Sequence, residues 1–187
     1  MIQQLTQESI ALLDQLIATP STSRDEAITA DIIEAFLKAR VRGKVERIHN
    51  NVFVRTPLWD DTRPTLLMNS HHDTVRPAAS YTHNPYAPII DSERLLGLGS
   101  NDAGASLVSL LEVFLTLRTK QLPFNLMLII SAEEECGGEK GIRAVMPLYG
   151  EQITMAIVGE PTSMQAAVAE RGLVVLDCVA KGKSGHA

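Results

Sequence analysis

The chain has 187 residues, 45% hydrophobic and 21% charged, ordinary figures for one globular domain or one and a part. Its net charge is −5 with no long basic stretch, which argues against nucleic acid or an anionic membrane as a partner. The amino terminus shows no secretory pattern and no apolar run could span a bilayer, while Cys136 and Cys178 have neither zinc-ligand nor redox spacing; a reduced, cytoplasmic protein is expected.

Ile10, Leu13, Leu16 and Ile17 recur at helical spacing, and Pro20 closes that segment. Ser23 followed by Glu26 has the spacing of a capping box ahead of a second helix carrying Ile32, Ile33, Phe36 and Leu37. Val45–Ile48 and Val52–Arg55, split by Asn50 and Asn51, predict a hairpin. Leu66–Met68 is the core of the next strand, and residues 76–91 turn to Pro, Ala, Asn, Tyr and His, a surface loop. The segment 103–118 predicts a buried helix, and Phe124–Ile130 a central parallel strand. Gly137 and Gly138 break the chain before a helix over 140–146. Strands are expected at 154–159, 165–169 and 173–180. Alternating strands and helices predict an α/β fold, a three-layer sandwich with a mainly parallel central sheet.

Four polar signals each follow an apolar run: Ser70-His71-His72-Asp73, Asp102 after Leu95–Leu98, Glu133-Glu134-Glu135, and Glu160. If those runs are parallel strands, all four emerge at the carboxyl ends, where open α/β sheets place their ligands. Carboxylates converging with an imidazole repel one another unless a cation sits among them. On an extended segment His71 and Asp73 share a face and His72 points away. That suits a metal-bound imidazole whose second nitrogen is oriented by a carboxylate. Gly97-Leu98-Gly99-Ser100-Asn101-Asp102 is not a dinucleotide fingerprint, because Asp102 stands where the third glycine belongs. By itself Asp102 reads first as a helix cap, and Glu133–Glu135 first as a solvated charge run. The acids abut a strand expected to be buried on both faces, however, and one of them can serve as a general base beside a metal. His72, His49 and His83 read as surface or loop histidines. Tyr81, His83 and Tyr86 fall in the loop between the first two signals, where they can line a cleft.

Ser-His-x-Asp-x-Val at 70–75, Gly-Leu-Gly-Ser-Asn-Asp at 97–102, Ser-Ala-Glu-Glu-Glu at 131–135 and Val-Gly-Glu-Pro-Thr at 158–162 together resemble the co-catalytic zinc hydrolases. That family includes acetylornithine deacetylase, succinyl-diaminopimelate desuccinylase, aminoacylase and related carboxypeptidases. The resemblance implies a zinc-dependent amidohydrolase of N-acyl amino acids, nearest in flavour to acetylornithine deacetylase of arginine biosynthesis, with desuccinylase and dipeptidase or carboxypeptidase as alternatives. It implies that His71 and Glu160 hold one zinc ion, that Asp102 bridges two and that Glu135 holds the second, with Co2+ a possible substitute. Glu134 is then the general base and proton shuttle, and Asp73 orients His71.

The ending Lys183-Ser184-Gly185-His186-Ala187 is similar to the start of that family's lid and dimerisation domain, whose histidine reaches the partner's active site in a homodimer; His186 matches it. Residues 1–171 are accordingly expected to form the catalytic domain and 172–187 the first strand of a lid, with Arg171-Gly172 a hinge or an exposed turn. The family's further histidine ligand to the second zinc has no counterpart here, so the chain reads as an amino-terminal piece, poorly active or inactive alone. A non-catalytic, metal-stabilised scaffold is the competing class, and the presence of Glu134, a base with no structural task, argues against it.

Overall fold

The computed structural model describes residues 2–91, 94–169, 172, 174, 176 and 178–182. Helices α1 (Ile2–Ile17) and α2 (Ala27–Lys38) open the chain, followed by the hairpin β1 (Val45–Ile48) and β2 (Asn51–Arg55) and by β3 (Thr65–His71). Two short strands, β4 (Ile89–Ile90) and β5 (Leu95–Leu96), precede α3 (Ala105–Leu117); β6 (Asn125–Ser131), α4 (Ile142–Tyr149) and β7 (Met155–Val158) complete the order.

The main sheet runs β1-β2-β6-β3-β7. β3 pairs parallel with β6 and β7, whereas β2 is antiparallel to both β1 and β6, so four of the five strands point the same way. Period-two alternation divides the strand residues between two cores. Val52, Val54, Met68, Leu126, Leu128 and Ile130 face α1, α2 and α3. Phe53, Leu67, Met127 and Ile129 face the opposite side, where Val145 of α4 packs. The result is the expected three-layer α/β sandwich. Every residue of β6 is buried, which explains its unbroken apolar run.

The structure corrects several boundaries. His49 and Asn50 form the hairpin turn, His49 with φ 53°, and Asn51 belongs to β2. The fourth helix begins at Ile142 rather than at 140. Leu95–Leu98 is no strand of the main sheet: only Leu95 and Leu96 are extended, paired antiparallel with Ile90 and Ile89 in a separate ribbon. Residues 165–169 form no strand, and neither do the described residues of 173–180. Strands persist only where a neighbour accepts their hydrogen bonds, and among the described residues none pairs with these segments. Arg171, expected at the hinge and the domain boundary, and His186, with the rest of 183–187, lie outside the described residues.

Candidate metal centre

Three of the four polar signals leave the sheet together. His71 is the last residue of β3, Glu133–Glu135 follow β6, and Glu160 follows β7, at the carboxyl ends of three adjacent parallel strands. Asp102 arrives by another route, on the irregular turn Ser100–Gly104 that leads into α3. Gly99 starts that turn with φ 76°, a backbone that side chains disfavour, and a Cβ there would meet Thr74 Cγ2 at 2.7 Å. No side chain caps α3, so Asp102 is free of the capping role. Its Oδ1 lies 3.2 Å from His71 Nε2.

The same nitrogen has Glu160 Oε2 at 3.7 Å and Glu134 Oε2 at 3.8 Å. Ligand atoms of His71, Asp102 and Glu135 lie within 4.8 Å of one another. On the other side of the ring, Nδ1 is 3.0 Å from the Asp73 carbonyl and 3.4 Å from its carboxylate Oδ1. A carbonyl only accepts, so Nδ1 carries the proton and Nε2 faces the acids.

Asp73 is fully buried and holds more than His71. Its Oδ2 accepts from the Ser23 hydroxyl at 2.7 Å and from Glu135 N–H at 3.2 Å, and its Oδ1 accepts from Glu134 N–H at 3.1 Å. One carboxylate thus fixes both the ring of His71 and the backbone that carries Glu134 and Glu135. Behind it, Glu26 is fully buried; it accepts from Glu133 N–H at 3.3 Å and from Arg24 N–H. Glu133 has φ 53°, a left-handed backbone costing on the order of 1 kcal/mol in a non-glycine residue. Glu26 and the Lys140 N–H, donated to Glu133 Oε2 at 3.2 Å, secure that turn. Asn51 bridges the same loop, donating to the Lys140 carbonyl at 2.7 Å and accepting from Ala132 N–H at 3.1 Å. Ser70 donates to the Gly159 carbonyl at 2.9 Å and so positions the approach to Glu160.

Ser23 and Glu26 therefore form no capping box: α2 has no side-chain cap, and both side chains serve the acidic loops instead. Their spacing is identical in the two roles, and only the tertiary neighbours distinguish them. Glu26 and Asn51 carry no sequence signal for their roles here.

Charge reports the same design. Burial opposes protonation of His71, but hydrogen bonds and charges from Asp73 and Glu160 outweigh it and push the imidazole up to about 11. For Asp73, burial acts upward, and the bonds from His71, Ser23 and Glu134 N–H prevail to hold its carboxyl below the ordinary range. Burial, reinforced by the neighbouring carboxylates, raises both Glu134 and Glu135. The acids gathered around His71 Nε2 favour positive charge at their centre, whether a proton on the imidazole or a bound cation. One imidazole nitrogen and several carboxylate oxygens suit a divalent ion of the zinc class. The donor set fits such an ion.

His72 is not a surface residue. It is buried, with Nε2 at 2.9 Å from the Asn50 carbonyl and Nδ1 at 2.8 Å from Thr29 Oγ1. Burial pulls its pKa down to about 4 from 6.5. Between those values the unfolded chain binds a proton that the folded chain refuses. Its contribution to stability is therefore complete above about pH 6.5 and is lost as pH falls toward 4. Urea unfolding at pH 7 and pH 5 should show a loss on the order of 2 kcal/mol from this group. A His72 ring found protonated by NMR in the folded protein at pH 6 would contradict the assignment. His49 and His83 are exposed, as expected.

The model for Peptidase family M20/M25/M40 matches residues 67–173, more than half of the chain and all four polar signals. The chain belongs to this family. It is 27% identical over 198 residues to a succinyl-diaminopimelate desuccinylase of Delftia acidovorans, covering 95% of this chain and 51% of that protein. Among solved structures, the M20 family metallo-carboxypeptidase Sso-CP2 of Sulfolobus solfataricus superposes with a TM-score of 0.66 at 20% identity, over 81% of this chain and 37% of that one. The di-peptidase Dug1p of Saccharomyces cerevisiae gives 0.64 at 19%, over 85% and 39%. At these identities the structures establish the M20 fold alone. The M20 chain spans about half the length of the curated relatives it matches. No helix among its described residues is long and apolar enough to cross a membrane.

Proposed function

We propose that the protein carrying this M20 chain is a zinc-dependent hydrolase of the amide bond in N-acyl amino acids or small peptides. The observation that carries the reading is the ring of carboxylates from Asp102, Glu134 and Glu160 around His71 Nε2, with Glu134 raised toward a useful base. In this proposal His71, Asp102 and Glu160 would hold one zinc, and Asp102 and Glu135 would contribute to a second. Bound zinc would supply Lewis acidity toward the amide carbonyl and an acidified water.

The chain's own residues then divide the work. Glu134 Oε2 takes a proton from the attacking water as the new C–O bond forms. It returns that proton to the amide nitrogen as the C–N bond breaks, leaving a carboxylic acid and an amine. Asp73 keeps the proton of His71 on Nδ1 and holds the Glu134–Glu135 backbone in register. His186 stands as a proposed transition-state contact from a lid, contributed across a homodimer. The finer substrate proposal is N-acetylornithine, with N-succinyl-diaminopimelate the alternative that the name of the Delftia relative supports. Purified protein should hydrolyse one of N-acetylornithine, N-succinyl-diaminopimelate or a dipeptide, lose activity on chelation and regain it with Zn2+ or Co2+. Activity indifferent to chelation would overturn the reading.

A further inference from the structure

Away from the metal centre, the chain carries a recess of about 480 Å³ between three segments. Arg24 comes from the loop before α2, His49 and Asn50 from the hairpin turn, and Glu133, Glu139 and Lys140 from the loop after β6. Arg24, His49 and Glu133 have φ of 79°, 53° and 53°, three of the five non-glycine residues with positive φ among those described. Such backbones persist where the surroundings over-determine them, and they gather at ligand sites and switches. One buried group holds all three walls. Glu26 Oε1 accepts from Arg24 N–H and from Glu133 N–H, and its Oε2 accepts from the Asn50 side-chain amide at 3.0 Å. The walls are thus fixed relative to one another without a ligand, which lowers the cost of binding one.

The recess carries charges of both signs. Among the described residues no hydrogen bond or ion pair engages the Arg24 guanidinium or the Lys140 ammonium. Glu133 is buried, with Oε2 accepting from Lys140 N–H at 3.2 Å. Glu139 meets Arg143 at 3.1 Å in an exposed pair, a kind that contributes little and is readily exchanged. A simple anion in this recess would gain Arg24 and Lys140 but face two carboxylates, and a simple cation would meet the reverse. A zwitterion satisfies both signs at once. The His49 imidazole adds a hydrogen-bonding group, and no apolar side chain larger than Ala132 lines the recess among the described residues, which suits a polar substituent.

We propose that this recess is a second ligand site, separate from the metal centre, for a free α-amino acid with an uncharged polar side chain. Its carboxylate is received by Arg24 and Lys140, and its ammonium by Glu133 and Glu139. The proposal does not depend on the hydrolase reading.

The test is amide NMR of the 187-residue chain titrated with L-glutamine, with chelator present to keep the amino acid off any bound metal. Saturable shifts are expected, centred on Arg24, His49, Glu133 and Lys140. Glutaramate, which lacks the ammonium, and 4-aminobutanamide, which lacks the carboxylate, should each bind about tenfold more weakly. Arg24→Gln and Lys140→Gln, both at exposed positions, should each weaken glutamine about tenfold while the rest of the spectrum stays that of the folded chain. Either analogue binding as tightly as glutamine would overturn the proposal, as would glutamine binding undiminished in both variants. Shifts centred on Asp102 and Glu135 instead, or no saturable shift up to about 50 mM glutamine, would overturn it too.

Discussion

In the whole protein that carries this chain, Glu134→Ala is expected to lower turnover about a thousandfold while leaving bound metal unchanged. The expectation follows from where Glu134 sits. Its carboxylate faces His71 Nε2 at 3.8 Å, the longest of the three such approaches, and its side chain is half exposed toward the cleft. Asp102 and Glu160 approach more closely, so removing Glu134 leaves a donor set intact but takes away the group that can carry a proton. The raised pKa of Glu134 adds a second signature. A base must be ionised to work, so turnover should fall as pH drops through the titration of Glu134, and Glu134→Asp should move that acidic limb rather than erase it. Metal content by atomic emission, beside steady-state kinetics, checks both points. Near-normal turnover in Glu134→Ala would remove the residue from the base role and revive the scaffold alternative.

Asp73→Ala should be the most damaging substitution for the fold of the site, costing about 3 kcal/mol and at least tenfold in metal affinity. The carboxylate is fully buried and receives hydrogen bonds from Ser23, Glu134 N–H and Glu135 N–H while facing the ring of His71. Alanine takes the acceptor away from each of those part-buried donors and leaves a void where the carboxylate was. Ser23→Ala removes only one of them and should cost about 1 kcal/mol. Urea unfolding of the two variants, with zinc titration of each, separates the cases; a mild Asp73→Ala and a severe Ser23→Ala would invert the account of this network.

Much of this was legible in the sequence because the signals are local. The unbroken run in β6 and the apolar core Leu66–Met68 of β3 announce strands that polar residues leave at one edge, and the order of the four motifs identifies the family. Asp102 shows the limit of that reasoning. The apolar pair before it makes only a short ribbon, and the residue reaches His71 through a glycine-started turn rather than from a strand end. The Ser23–Glu26 pair shows another limit, since a capping spacing says nothing about the distant loop that recruits both side chains. His72 was misplaced for a related reason: pointing away from the metal side of β3 means pointing into the region of Thr29 and Asn50, not into water. Segments 165–169 and 173–180 have the composition of strands, but pairing depends on a neighbour that composition cannot supply.

The central claim is that His71 and the surrounding acids form a metal centre on this chain. Calorimetric titration of zinc into the purified 187-residue protein, beside Asp102→Ala, tests it most directly. Saturable binding by the wild type is expected, with a loss of at least a hundredfold in affinity for Asp102→Ala. A wild-type chain that binds no zinc, or a variant that binds it as well as the wild type, would contradict it.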